Sequence, residues 1–312
     1  MIGNQWIFLL FVSILLSIIA GIFNPKFFTI QNMSNLLEQI SVLGLVSCGA
    51  TILIISGNFD ISVGSSIGLS TSIAAMLIVG GANVYFAALI GIIVATAASC
   101  FIGASSITFR APSFIISLAA IGVFHGIALA LTEGTIQTIY GKFEILGGTR
   151  FFGFLPLLFL IGLVGYGLVH FILIYTQLGR RVYAIGNNPR AAFLAGINVN
   201  RNKMVFFLLN GFFVGVAGIL LLSRVGAALP STGAGIELKA IGATVIGGTT
   251  MSGGKGKIIG TFFGVLLWGV IANALNMMRV SPYYQEFAFG MMIVLAVAVS
   301  SLRLRAQRVE MA

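Results

Sequence analysis

Few side chains in this sequence could do chemistry, and their spacing argues against most of them. The tract GGTTMSGGKGK at 247–257 has the glycines of a phosphate-cradling loop, but GxxxxGK[ST] fails because Lys255 is followed by Gly256. HExxH does not occur, and GSSIG at 64–68, which fits GxSxG, stands without any other sign of a catalytic constellation. His125 and His170 lie in apolar runs with no second His, Cys or acid at ligand spacing, so they read as packed histidines and not as metal ligands or a proton relay. Cys48 and Cys100 read as small hydrophobes for the same reason. With no nucleophile–base pair, nucleotide loop or metal set, no catalytic residue, metal or bound cofactor is expected on this chain.

The remaining polar positions gather at two glycine-containing breaks. GNFDISVGS at 57–65 supplies Asn58, Asp60 and Ser62, and the second break supplies Gly247, Gly248 and Thr249. A carboxylate in hydrocarbon costs about 2.5–3.5 kcal/mol on insertion scales and persists only with partners or water. Asp60, placed at the cytoplasmic end of the second apolar run, has two readings. Either Asp60 or Ser62 caps the helix that follows, or Asp60 touches a gate or a solute. These six residues are the candidate lining of a pathway, and their hydroxyls and backbone groups suit a neutral polyhydroxylated solute.

The elements that position them are membrane spans. The chain has 312 residues, 58% hydrophobic and 8% charged, against about 25% charged in a soluble domain. Apolar runs occur at 7–23, 40–55, 66–80, 84–107, 113–131, 151–175, 204–222, 239–250, 258–276 and 284–302, which predicts an all-α integral membrane protein of about ten transmembrane helices in a single domain over 1–312. The third and eighth runs are short and rich in Gly, Ser or Thr, the composition of half-helices that line a wet cavity. The first run has no Lys or Arg before it and is read as an uncleaved span. Spacings Gly256/Gly260/Gly264, Gly211/Gly215 and Gly122/Gly126 predict close helix packing.

Charge sets the orientation. With the N-terminus cytoplasmic, inside loops hold Arg110, Arg180, Arg181, Arg190, Arg201, Lys203, Lys255, Lys257, Arg303, Arg305 and Arg308; outside loops hold Lys26, Lys142, Arg150, Arg224, Lys239 and Arg279. The bias predicts both termini inside. The net charge of +10 belongs to these loops and not to a soluble basic domain, so no nucleic-acid partner is expected. External charges, among them Glu133, Lys142, Glu144, Arg150, Glu237 and Lys239, are either solvated or contacts for an external binding protein.

The longest inside loop, 176–203, predicts a short helix over Pro189–Ala195. Asn188 caps it, Pro189 suits its first turn and Gly196 its left-handed exit. So short a helix needs a surface. It lies on headgroups, or it enters a groove of a soluble partner, with Ala191, Ala192 and Ala195 allowing close approach and Phe193 or Leu194 as anchor.

At this point the chain resembles the permease subunits of ribose-type ATP-binding-cassette importers. GNFDISVGS at 57–65 looks like the family's GIDLSVGS, with Asn58 and Phe59 in place of the usual Gly-Ile. The segment 183–199 looks like its coupling segment, and GIELKAIGATVIGGTTMSGGKGKIIGT at 235–261 looks like its C-terminal signature. The resemblance implies a type II importer fold in a bacterial inner membrane and a second permease copy or paralogue. It further implies a cytoplasmic ATPase that uses ATP and Mg²⁺, and a periplasmic solute-binding protein. It makes Gly186, Asn188, Pro189, Arg190, Ala191, Ala192, Phe193, Leu194, Ala195 and Gly196 the ATPase-coupling residues. The alternative is a secondary transporter or facilitator without an ATPase, to be told apart by a bulky charge at Ala192.

Overall fold

The computed structural model describes residues 5–294. The helices are α1 (Gln5–Phe23), α2 (Ile30–Ile55), α3 (Val63–Val79), α4 (Val84–Thr108), α5 (Ser113–Thr132), α6 (Ile145–Gly148), α7 (Leu157–Tyr175), α8 (Gln177–Asn187), α9 (Pro189–Leu194), α10 (Val199–Val225), α11 (Ile236–Ile246) and α12 (Ile258–Met277). A further helical run covers 282–294. The expected tenth span, 284–302, continues beyond the described residues, as do Arg303, Arg305 and Arg308.

Seven of these helices are long and apolar enough to cross a membrane: α1, α2, α4, α5, α7, α10 and α12. Helices α3 and α11, with 17 and 11 residues, are the short, polar-flecked elements of the third and eighth runs. Backbone chemistry sets the ends. Asn83 caps α4 by accepting from the Tyr85 and Phe86 amides, and Asn198 caps α10 by accepting from Arg201. Gly226, at φ +72°, supplies the left-handed residue that ends α10.

Helix α2 is the hub, packed by α7, α10, α11 and α12, whereas α1, α5 and α7 turn large apolar faces outward. Phe8, Phe11, Phe114, Ile115 and Phe171 are exposed there, as a hydrocarbon surround demands and water would penalise.

Two differences from the sequence reading have physical causes. Helix α2 begins ten residues before the expected 40 because Asn32, Ser34 and Glu38 are buried with internal partners: Asn273, the Phe154 carbonyl, and Arg150 with Arg224. Helix α7 begins at Leu157 and not at 151, because Arg150–Phe151 pairs antiparallel with Leu155–Pro156. The glycine spacings also divide. Gly211 and Gly215 meet the backbone of α4, and Gly260 and Gly264 that of α11, so a Cβ there would overlap main chain. A Cβ on Gly122 or Gly126 would meet nothing, so that pair packs against nothing among the described residues.

The end of α2 at Ile55–Gly57, helix α8 and the 247–257 tract meet on one face, and Lys203 Nζ donates to Ser106 Oγ at 2.7 Å. This is the basic face. Away from it, Glu38 pairs with Arg150 and Arg224, Lys239 pairs with Glu286, and Glu237 lies against Gly64 of α3.

Candidate functional site

The site is the place where the loop helices meet the two breaks. Helix α8 is amphipathic and buries Val182 and Ile185. Its last turn brings Gly186 against the Ile55 carbonyl so closely that a Cβ would overlap it. The Gly254 amide donates to the same carbonyl at 2.8 Å, which satisfies one of the acceptors left free at the end of α2. Tyr183 Oη donates to the Gly256 carbonyl at 2.9 Å. Burial holds the Tyr183 phenol above its usual pKa, so it stays protonated as a donor. Gly253 and Gly254, at φ +82° and +76°, give the second break the turn that reaches α8.

Helix α9 follows directly. Asn188 Oδ1 accepts from the Arg190 and Ala191 amides at 3.0 and 3.1 Å, and Gly196 exits at φ +82°. The expected helix forms, one residue shorter. Phe193 is 68% and Leu194 85% exposed, while Ala192 is 4% exposed. Ala192 therefore packs inside this chain, unlike Arg190, Ala191, Phe193, Leu194 and Ala195, which face outward. A charge at Ala192 would disturb the chain itself, so the test moves to Leu194.

The six expected pathway residues divide between the breaks. Asp60 is fully partnered. Its Oδ1 accepts from the Ser62 amide and hydroxyl at 3.0 and 2.7 Å, and its Oδ2 from Ser99 Oγ and Asn210 Nδ2 at 3.1 and 3.0 Å. Ser62 is the N-cap of α3 but makes no side-chain cap bond; Asp60 takes its amide instead. Ser99 lies nine residues before the end of α4 and Asn210 eleven after the start of α10. At about 1.5 Å per residue, Asp60 sits roughly 14–16 Å below the basic face, deeper than the span end where the apolar run placed it. Asn58 donates to Ser56. Gly247 lies against Gly260, and Thr249 is buried beside Gly256.

Ser99, Asn210 and Tyr183 were not singled out in the sequence. The signal for the first two was present: each is a polar residue inside an apolar span, which asks for a partner. On the opposite face, Glu38 accepts from Arg150 at 3.2 Å and from Arg224 at 2.9 Å, joining α2, the 150–156 hairpin and α10. Arg150 is thus an internal contact, as is Lys239, which pairs with Glu286 at 3.3 Å. Among the described residues, no three of His, Cys, Asp and Glu gather as a metal set.

Long apolar helices, half-length elements and an exposed loop helix joined to two breaks describe a multi-span membrane protein. Over residues 32–297 the sequence matches the family described as Branched-chain amino acid transport system / permease component, and the chain belongs to it. It is 38% identical over 287 residues to the ribose import permease protein RbsC of Bacillus subtilis (strain 168), covering 91% of this chain and 88% of the relative. It is 34% identical to the protein of the same name from Escherichia coli (strain K12), with 94% and 92% covered. It is 35% identical to the L-arabinose transport system permease protein AraH of that strain, with 96% and 92% covered. No solved structure gives a significant match.

Proposed function

We propose that this chain is the pore-forming subunit of an ATP-driven importer for a small sugar, in a bacterial inner membrane with the basic face toward the cytoplasm. The observation that carries the reading is the exposed α9, joined through Gly186 and Tyr183 to both membrane breaks. Uphill transport needs an energy source, and this chain has no nucleotide loop of its own. A cytoplasmic ATPase that grips Phe193 and Leu194 would move α8, and α8 would shift the chain at 55–62 and 247–257. Biasing these breaks between two arrangements is what alternating access requires. ATP and Mg²⁺ act in that partner. A binding protein delivers solute at the opposite face, and a second permease copy or paralogue completes the pathway.

The names of the relatives support a pentose-sized solute. The test is to purify the chain with its candidate ATPase and measure ATP hydrolysis with and without sugar-loaded binding protein. A stable complex stimulated by the loaded protein supports the importer. A folded chain that binds no ATPase and still moves sugar in liposomes sinks it.

A further inference from the structure

The half of the molecule away from the basic face holds a cavity that the coupling junction does not use. It measures about 260 Å³ and lies between α2, α10, α11, α12 and the 282–294 run. Gln39, Arg224, Lys239, Trp268 and Phe289 are on its wall, and most of the rest is aliphatic or backbone. Small-molecule sites run from about 300 to 1,000 Å³ and combine apolar walls with a few convergent polar groups. This cavity falls just below that range, a size for a monosaccharide and not for a disaccharide.

Its polar groups are not used up by the fold. Arg224 spends Nε on Glu38, and its two η nitrogens have no partner among the described residues. Gln39 is half-buried and makes no side-chain hydrogen bond among them. Glu38 is one carboxylate serving two guanidiniums, Arg150 and Arg224. Lys239 is held to the side, 3.3 Å from Glu286 and 5.3 Å from the Phe289 ring centroid. Trp268 and Phe289 stack at 4.9 Å. A lipid tail would leave the Arg224 and Gln39 donors unpaired, whereas an oxygen-rich ring satisfies them.

We propose that this cavity is an outer subsite for a monosaccharide-sized polyhydroxylated solute. Hydroxyl oxygens accept from Arg224 and Gln39, and the apolar ring face lies on the Phe289 side of the wall. The proposal rests on the importer reading and deepens it by naming where the solute first sits on this chain.

The test places a reporter thiol at Ala234, which lines the cavity without donating to it, in a Cys100→Ala background. Cys48 is fully buried and stays unreactive. The complex with the ATPase is reconstituted, and the Ala234→Cys thiol is modified by a membrane-impermeant maleimide from the face opposite the nucleotide. Saturating D-ribose or L-arabinose should slow modification at least about threefold, as occupancy of most sites requires. Lactose should not. Adding Gln39→Leu should raise the protecting concentration about tenfold, the effect of one lost hydrogen bond. An unreactive thiol, no protection by either pentose, equal protection by lactose, or no shift with Gln39→Leu overturns the subsite. If ATP hydrolysis is stimulated by loaded binding protein while the thiol is unprotected, only the subsite fails. If no ATPase associates and reconstituted permease alone shows the protection, the cavity stands and the energy source does not.

Discussion

The Gly254 amide and Gly186 converge on one acceptor, the carbonyl of Ile55: Gly254 donates to it at 2.8 Å and Gly186 lies against it without a side chain between. Two breaks separated by most of the chain are thereby held to the loop helix as one piece. An alanine at 186 would overlap the carbonyl and lie 2.7 Å from the Gly254 nitrogen. Gly186→Ala should cost about 1–3 kcal/mol, the range for overpacking, seen as a lower midpoint in thermal unfolding of the purified chain. Any variant that still assembles with the ATPase should hydrolyse ATP without moving sugar. Wild-type transport and stability together would show that the junction tolerates movement.

Tyr183 gives a gentler cut at the same place. Tyr183→Phe removes only the hydrogen bond to the Gly256 carbonyl, worth about 0.5–1.5 kcal/mol, so the fold should survive and the ratio of sugar moved to ATP hydrolysed should fall. The pH dependence has a definite sign. The phenol's folded pKa is raised by burial, so its contribution is whole below the unfolded value near 10 and is lost only as pH rises through the folded one. Coupling in the native protein should therefore show no loss from this group between about pH 6 and 9. A drop there that Tyr183→Phe abolishes would contradict the assignment.

Much of this was legible in advance. Nine of the ten apolar runs each mark a helix, the tenth begins in the helical run 282–294, and Asn188, Pro189 and Gly196 place α9 because capping chemistry is local. What hydropathy misses is polarity satisfied across distance. Glu38 and Asn32 look like loop residues until Arg224 and Asn273 come to meet them. Asp60 likewise looks like a local cap, because Ser99 and Asn210 lie 39 and 150 residues away. The Gly122/Gly126 spacing misled in the other direction, since the same pattern serves packing or an open face.

Helix α9 separates partner binding from folding within three residues. Leu194 is exposed and touches little of this chain, so Leu194→Glu should leave thermal stability within about 0.5 kcal/mol of wild type while abolishing co-purification of the ATPase. Ala192 is buried, and Ala192→Glu should lower the unfolding midpoint whether or not a partner is present. If Leu194→Glu assembles normally and transports sugar, α9 is not the docking element.

Asp60 is the residue on which the capping and gating readings part. Alanine there would strand the Ser62 amide and hydroxyl and the Ser99 hydroxyl, and leave Asn210 Nδ2 only its bond to Ser99 Oγ. Each buried group left unmade costs about 1–3 kcal/mol, so Asp60→Ala should destabilise severely, with some donors finding water or each other. Asparagine keeps one acceptor oxygen for Ser62 but turns an NH₂ toward the Asn210 amide. Asp60→Asn should therefore lose part of the network and fall between wild type and Asp60→Ala in thermal unfolding. If transport across the three proteins falls in step with stability, Asp60 acts as a tie between α3, α4 and α10. A stable Asp60→Asn protein that hydrolyses ATP and carries no sugar would instead put its charge on the gate.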